Sequence, residues 1–160
     1  MDDQGWQDFD FFHGKWRVAH RRLVERLAGS TDWQEFGGIC VCHPTLGGRG
    51  NFDDNVLDLP DGQYRAMTIR AFDIAAGQWS IWWLDARKPH QLDVPVVGSF
   101  DGDIGSFIAR DTFRNRDVLV RFQWQKGLEP RWEQAMSDDD GRTWEVNWTM
   151  RFARDDGVVL

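Results

Sequence analysis

The feature of this sequence that most restricts its fold is a long series of short segments with strand periodicity. Apolar and polar side chains alternate along these segments, as in strands that bury one face. Turn-forming residues stand between most of them, for example Pro60-Asp61-Gly62 and Asp101-Gly102. The segments that we predict as strands are 15–27, 33–42, 52–59, 64–72, 79–85, 96–100, 106–114, 118–125, 131–137 and 143–153.

This pattern predicts an all-β chain that forms a single antiparallel, up-and-down β-barrel of about ten strands. Closing such a meander into a barrel removes its exposed strand edges. A sandwich of two sheets is the main alternative. The stretch 6–13 predicts a short N-terminal helical turn, with Phe9 and Phe12 on one face. No linker is evident, so we expect one domain over residues 1–160, with its barrel core at about 8–154.

The tryptophans show a weak internal repeat. In 73–83 and again in 138–148, an Asp/Gly turn precedes two tryptophans spaced four residues apart. An even spacing places both rings on one face of a strand, so one ring could close the barrel end while the other faces a cavity. That two hairpins of one meander simply resemble each other is an equally good explanation.

The net charge and the distribution of apolar residues argue against two kinds of partner, nucleic acid and membrane. The formal net charge of −7 argues against a nucleic-acid partner. The acidic start Met1-Asp2-Asp3 does not resemble a secretion signal, and no stretch is as long and apolar as a membrane span. We therefore expect a cytoplasmic protein with no membrane partner.

Cys40 and Cys42 lie two residues apart on one predicted strand, with Cβ atoms about 6.5–7 Å apart. This distance is too long for an unstrained disulfide, so we expect free thiols.

Ligand sets for metals are missing from the pattern. The four histidines have no close metal-ligand spacing. Asp138-Asp139-Asp140-Gly141 lacks the downstream glutamate of a calcium loop. We therefore expect no metal and no cofactor.

The start of the first strand carries a resemblance to a known group of barrels. Phe12-His13-Gly14-Lys15-Trp16 resembles the opening of the calycins, the lipocalin and fatty-acid-binding-protein-like barrels. The spacing of Trp79, Trp83 and Asp85, together with an ending that contains Trp144, Trp148, Phe152 and Arg154, resembles the uncharacterised bacterial family DUF1579 over about residues 8–154. The resemblance implies a barrel with an apolar cavity, but it implies no activity.

A haem-binding barrel is a further, less favoured alternative. The related barrel nitrobindin holds haem through a histidine near its C-terminus. Here the last histidine is His90, in a loop with two prolines, and the final strand offers Met150 instead. The resemblance therefore does not extend to the residue that holds haem.

Strand parity predicts which side chains face the barrel interior. If Trp16 points inward, as it does in similar barrels, a few polar residues share faces with apolar ones. A charge inside a small barrel is costly unless it is paired, so such residues could orient the polar end of a ligand. Near a strand end, the same parity fits an exposed rim equally well. The residues predicted to contact a ligand are Trp16, His20, Arg22, Arg70, Trp83, Asp85, Phe107, Asp111, Phe122, Trp124, Trp148 and Met150.

These observations support two hypotheses about function. The first is a cytoplasmic protein that binds a small hydrophobic or aromatic molecule with a polar end in an aromatic-lined cavity. The second is an isomerase, cyclase, lyase or hydratase that acts on such a molecule, with His20 or Asp111 as general acid or base. Catalysis by this pair requires both side chains to converge on one pocket. Whether the protein is an enzyme, and whether it forms a homodimer, is left open by the sequence.

Overall fold

The computed structural model describes residues 5–160, so the acidic start Met1–Asp3 lies outside the described residues. The strands are β1 Gly14–Leu23, β2 Trp33–Thr45, β3 Gly50–Leu59, β4 Gly62–Asp73, β5 Gln78–Asp85, β6 Val96–Asp101, β7 Ile104–Phe113, β8 Arg116–Gln125, β9 Arg131–Ser137 and β10 Glu145–Arg154. Two short 3₁₀ helices, Asp10–Phe12 and Leu46–Gly48, complete the secondary structure of these described residues.

The ten strands close into one antiparallel barrel in which each strand pairs with its neighbours in sequence. The barrel closes where β1 pairs with β10, with Val18 opposite Phe152. Tight turns match the short connections, as at Arg114 and Asn115, whose φ angles of 49° and 63° are those of a two-residue hairpin loop. The predicted all-β, up-and-down barrel is confirmed, and the sandwich alternative is wrong.

The N-terminal segment closes one end of the barrel. Phe9 and Phe12 are both buried, and the predicted helical turn is the 3₁₀ helix Asp10–Phe12. Trp16 stacks on Phe12 with ring centroids 5.5 Å apart and donates its Nε1–H to the Phe12 carbonyl at 2.9 Å. Lys126 forms a salt bridge with Asp8, with a distance of 2.8 Å between Nζ and Oδ1. This closed end is an aromatic core formed by Phe9, Phe12, Trp16, Trp79, Phe107, Trp124 and Phe152.

The opposite end of the barrel, the mouth, is crossed by a loop that the strand pattern did not predict. β1 ends at Leu23 instead of residue 27, and the β1–β2 loop (residues 24–32) leans over the mouth. The backbone N–H of Leu27 donates to Glu145 on β10 at 2.8 Å, and Arg116 on β8 donates to the Leu27 carbonyl at 3.1 Å. No helix among residues 5–160 is long and apolar enough to cross a membrane.

A bulge changes the predicted inner face of the last strand. Val146 pairs with Ala135, and the next paired residue is Trp148, so Asn147 is inserted between them and is fully buried. The extra residue shifts the parity of the strand. Trp148 faces the interior, whereas Trp144 lies before the strand, under the guanidinium of Arg121. The predicted single face that includes both tryptophans is therefore wrong.

Candidate ligand-binding site

A buried polar cluster lies against the inner side of β3 and β4. Arg70 and Asp53 form a salt bridge with a nitrogen–oxygen distance of 2.7 Å, and their side chains are 3% and 2% exposed. Arg70 also donates to the Oδ1 of Asn51 at 2.7 Å. Asp53 accepts from the backbone of Thr68 at 3.1 Å and from the amide of Asn55. Paired and hydrogen-bonded in this way, the buried charges avoid the large cost of an isolated ion.

A small inner cavity of about 20 Å³ opens beside this cluster. It has room for about one water-sized group. Arg70 Nε and Trp124 Nε1 are buried and have no acceptor among residues 5–160. The polar side chains that line the cavity are Asp53, Asn55, Thr68 and Arg70, and its aromatic ones are Phe12, Trp83, Phe122, Trp124, Trp132 and Phe152.

The two cysteines are buried and unpaired, as predicted. Cys40 lines the inner cavity. Burial raises the pKa of Cys42 to about 12, and burial together with the negative charge of Asp53 raises the pKa of Cys40 well above its usual value. A thiol is a nucleophile only as the thiolate, so this environment makes both cysteines inert.

A larger pocket of about 270 Å³ occupies the mouth of the barrel. It lies between the β1–β2 loop and the β5–β6 loop (residues 86–95), which contribute residues from opposite sides. Its apolar surface consists of Trp83, Phe122, Trp132 and Trp148. An aromatic-lined concavity with a few polar groups is typical of small-molecule sites.

The rings of the mouth pocket support one another edge to face. The ring of Trp148 lies 5.7 Å from Trp83 and 5.4 Å from Trp132, at interplanar angles of 85° and 90°. Phe122 contacts Trp132 in the same manner at 5.0 Å. Such pairs are favourable beyond the area that they bury. Trp83, Phe122 and Trp132 also line the inner cavity, so they form the partition between the two spaces.

Four cationic side chains and two carboxylates surround the mouth pocket. Arg87 donates hydrogen bonds from Nε and Nη2 to the Asp85 carboxylate, at 3.0 and 2.7 Å. This hydrogen bonding lowers the pKa of Asp85. The guanidinium of Arg87 also stacks on Tyr64 at 3.6 Å. Arg22 donates to the Tyr64 hydroxyl at 3.0 Å. Arg87 thus neutralises the negative charge of Asp85.

His20 lies behind the mouth pocket and lines neither cavity. Its Nδ1 accepts a hydrogen bond from Trp148 Nε1 at 3.1 Å, and its ring stacks on Phe36 at 4.6 Å. Nε2 faces Gly38, where an added Cβ would lie 3.0 Å from it. Burial, with the positive charge of Arg22 adding to it, lowers the pKa of His20 to about 3. The side chain therefore orients Trp148 as a neutral acceptor.

Asp111 lies apart from His20. It is half-buried near the mouth end of β7, accepts from the backbone of Thr112 at 2.7 Å and lines a separate groove beside Asp138–Asp140. The convergence of His20 and Asp111 on one pocket, which acid–base catalysis by the pair requires, is not found. The geometry disfavours the enzymatic alternative in that form.

The remaining predicted residues divide between three environments. Trp16 and Phe107 belong to the core at the closed end and line neither cavity. Arg70, Trp124 and Met150 line the inner cavity. Of the others, Trp83 and Phe122 line both cavities, and Arg22, Asp85 and Trp148 line the mouth pocket.

Sequence reasoning missed several residues of both cavities. Strand parity could have identified Tyr64, because it lies on the same face of β4 as the predicted residue Arg70. It could also have identified Trp132 from the alternation of apolar and polar residues along β9. Asp53 and Asn55 were missed because inward-facing polar residues look like an exposed face. Arg26 lies in the β1–β2 loop, whose path over the mouth no local pattern predicts.

Comparison with known proteins adds no family assignment. No family model matches the chain, and no curated protein matches it in sequence. The likeness to the calycins and to DUF1579 therefore stays a prediction. Of the two residues considered for haem, His90 is exposed in the β5–β6 loop and Met150 is buried at the inner cavity.

Proposed function

We propose that this protein binds a small, largely apolar or aromatic molecule in its mouth pocket, with the polar end of the molecule among the charged residues of the rim. The observation that carries the proposal is the concave aromatic surface of Trp83, Phe122, Trp132 and Trp148 at the open end of a closed barrel. The opposite end is filled by aromatic side chains, so the mouth is the accessible part of the interior.

The size of the two spaces agrees with this role. The mouth pocket, at about 270 Å³, is near the lower limit of drug-sized sites. The inner cavity, at about 20 Å³, holds no more than a water-sized group. A ligand body therefore rests on the partition formed by Trp83, Phe122 and Trp132. The Gly14-Lys15-Trp16 start of β1 supports our further proposal that the chain is a calycin-like barrel. The spacing of Trp79, Trp83 and Asp85 on β5 supports its proposed relation to DUF1579.

The experiment that tests the site uses N-phenylnaphthylamine, a neutral aromatic probe whose fluorescence rises in apolar surroundings. Trp83 and Trp82 are neighbours on β5, but only Trp83 lines the mouth pocket. We expect Trp83→Ala to weaken probe binding by about tenfold, since a lost aromatic contact surface removes one to two kcal/mol of apolar burial. The matched control Trp82→Ala should bind as the wild type does.

Two results contradict the proposal. One is a wild-type protein that does not bind the probe at all. The other is equal affinity in the Trp83 and Trp82 variants, which would place the bound probe elsewhere on the molecule. Native mass spectrometry of freshly purified protein then identifies the natural occupant directly, as a mass added to that of the chain.

A further inference from the structure

The three arginines that line the mouth pocket differ in whether a salt bridge pairs them with a carboxylate. Arg22 lies at the mouth end of β1, and Arg26 lies on the β1–β2 loop above it. Neither forms a salt bridge within 4.0 Å among residues 5–160, although the other arginine of the pocket, Arg87, is paired with Asp85. The nearby Glu145 has an oxygen committed to the backbone of Leu27.

The guanidinium of Arg22 and the backbone beside Arg26 are both held in place by their surroundings. Arg22 lies over the rings of Trp148 and Phe36, at 4.9 and 5.1 Å from their centroids, and donates to Tyr64. The backbone next to Arg26 is fixed by the hydrogen bonds that tie Leu27 to β10 and β8. Stacked or anchored arginines lose little further freedom when they bind, and their planar donors fit a carboxylate or a similar anion.

The positive charges of Arg22 and Arg26 repel each other. Burial lowers the pKa of Arg26, and the positive charge of Arg22 lowers it further. Arg22 also contributes to the lowered pKa of His20. The negative charges of Asp93 and Glu145 act on Arg26 in the opposite direction, but neither forms a salt bridge with it within 4.0 Å among residues 5–160. The positive potential at this point is therefore only partly offset and still favours an incoming anion.

We propose that the molecule bound in the mouth pocket is an amphipathic acid, whose anionic group lies between Arg22 and Arg26 while its apolar body rests on Trp83, Phe122, Trp132 and Trp148. This inference rests on the function proposed above and specifies the chemical class of the ligand. The anion bridges the barrel wall and the β1–β2 loop, so its binding also fixes that loop over the mouth.

A pair of probes with the same apolar skeleton tests the inference. Anilinonaphthalene sulfonate carries an anionic group, and N-phenylnaphthylamine does not. Arg26→Gln should raise the dissociation constant of the anionic probe by about tenfold, the effect of losing one charge-assisted hydrogen bond at a half-buried site. The same variant should leave the neutral probe within about twofold of wild type. Arg17→Gln, at an exposed arginine near the closed end, is the control and should change neither affinity.

Salt dependence in the wild-type protein gives a second readout that needs no variant. Raising the salt concentration from about 0.02 to about 0.5 M screens exposed and half-buried charges, so it should weaken binding of the anionic probe and spare the neutral one. If the neutral probe binds and the anionic probe shows neither the Arg26 effect nor the salt effect, the amphipathic acid is wrong and the proposed function stands. If neither probe binds the wild type, both proposals are overturned.

Discussion

Acid should destabilise this protein through His20 in particular. The pKa of His20 is about 3 in the folded protein, compared with 6.5 in a model peptide. Between these two values the unfolded chain binds a proton at this residue and the folded protein does not, so protons favour unfolding. The stability due to a neutral His20 is therefore complete above pH 6.5 and is lost as the pH falls toward 3.

The structure gives the magnitude of this effect. The His20 side chain is buried beside Phe36 and Trp148, so solvent screening is weak. Each pH unit below the unfolded pKa costs about 1.4 kcal/mol, so the free energy of unfolding should fall by about 2 kcal/mol between about pH 7.5 and about pH 5 from this residue alone.

Urea unfolding followed by tryptophan fluorescence measures the effect at both pH values. His20→Gln keeps an acceptor for the Trp148 N–H but does not titrate, so its loss of stability in acid should be smaller than that of the wild type by about 2 kcal/mol. His43→Gln, at an exposed histidine, is the control and should follow the wild type. An identical acid response in the wild type and in His20→Gln would refute the reasoning, because it would show that the folded protein accepts the proton at no cost.

Two further predictions concern the inner cavity. Asp53→Asn should destabilise the protein by about 3–5 kcal/mol in urea unfolding, because it leaves Arg70 charged and buried without its partner. The control Asp54→Asn, on the exposed face, should cost at most about 1 kcal/mol. Similar losses in the two variants would contradict the stabilising role of the buried Asp53–Arg70 salt bridge. Cys40 and Cys42 should react with a thiol reagent only as fast as the chain unfolds, and rapid labelling of the native protein at neutral pH would show that the thiols are not enclosed.

Much of the fold could be predicted because its signals are local. Alternation along a strand and turn residues between strands depend on neighbouring side chains and φ angles, and they predicted the number of strands and the closed barrel. The same alternation misplaced Trp144, because the bulge at Asn147 inserts one residue into the pairing. A bulge depends on the partner strand as much as on its own sequence.

The candidate site was less predictable than the fold. Parity identified inward-facing residues but could not separate those in a packed core from those at a cavity. Trp16 and Trp83 have equally suitable positions on their strands, yet Phe12 covers the first and the second borders both cavities. His20 was predicted to contact a ligand, and to act as an acid or base only if the protein is an enzyme. Its contact with Trp148 shows instead that it acts as a neutral acceptor.

The sequence by itself determined that this chain forms a closed, antiparallel barrel with tryptophans and a few charged residues directed inward, because strand periodicity and turn preference act over a few residues. The tertiary structure alone decided which end of the barrel is filled and which is open. The N-terminal phenylalanines enter one end, and the β1–β2 loop brings Arg26 to Arg22 at the other. Packing of this kind joins segments that are far apart in the chain, so no local pattern records it.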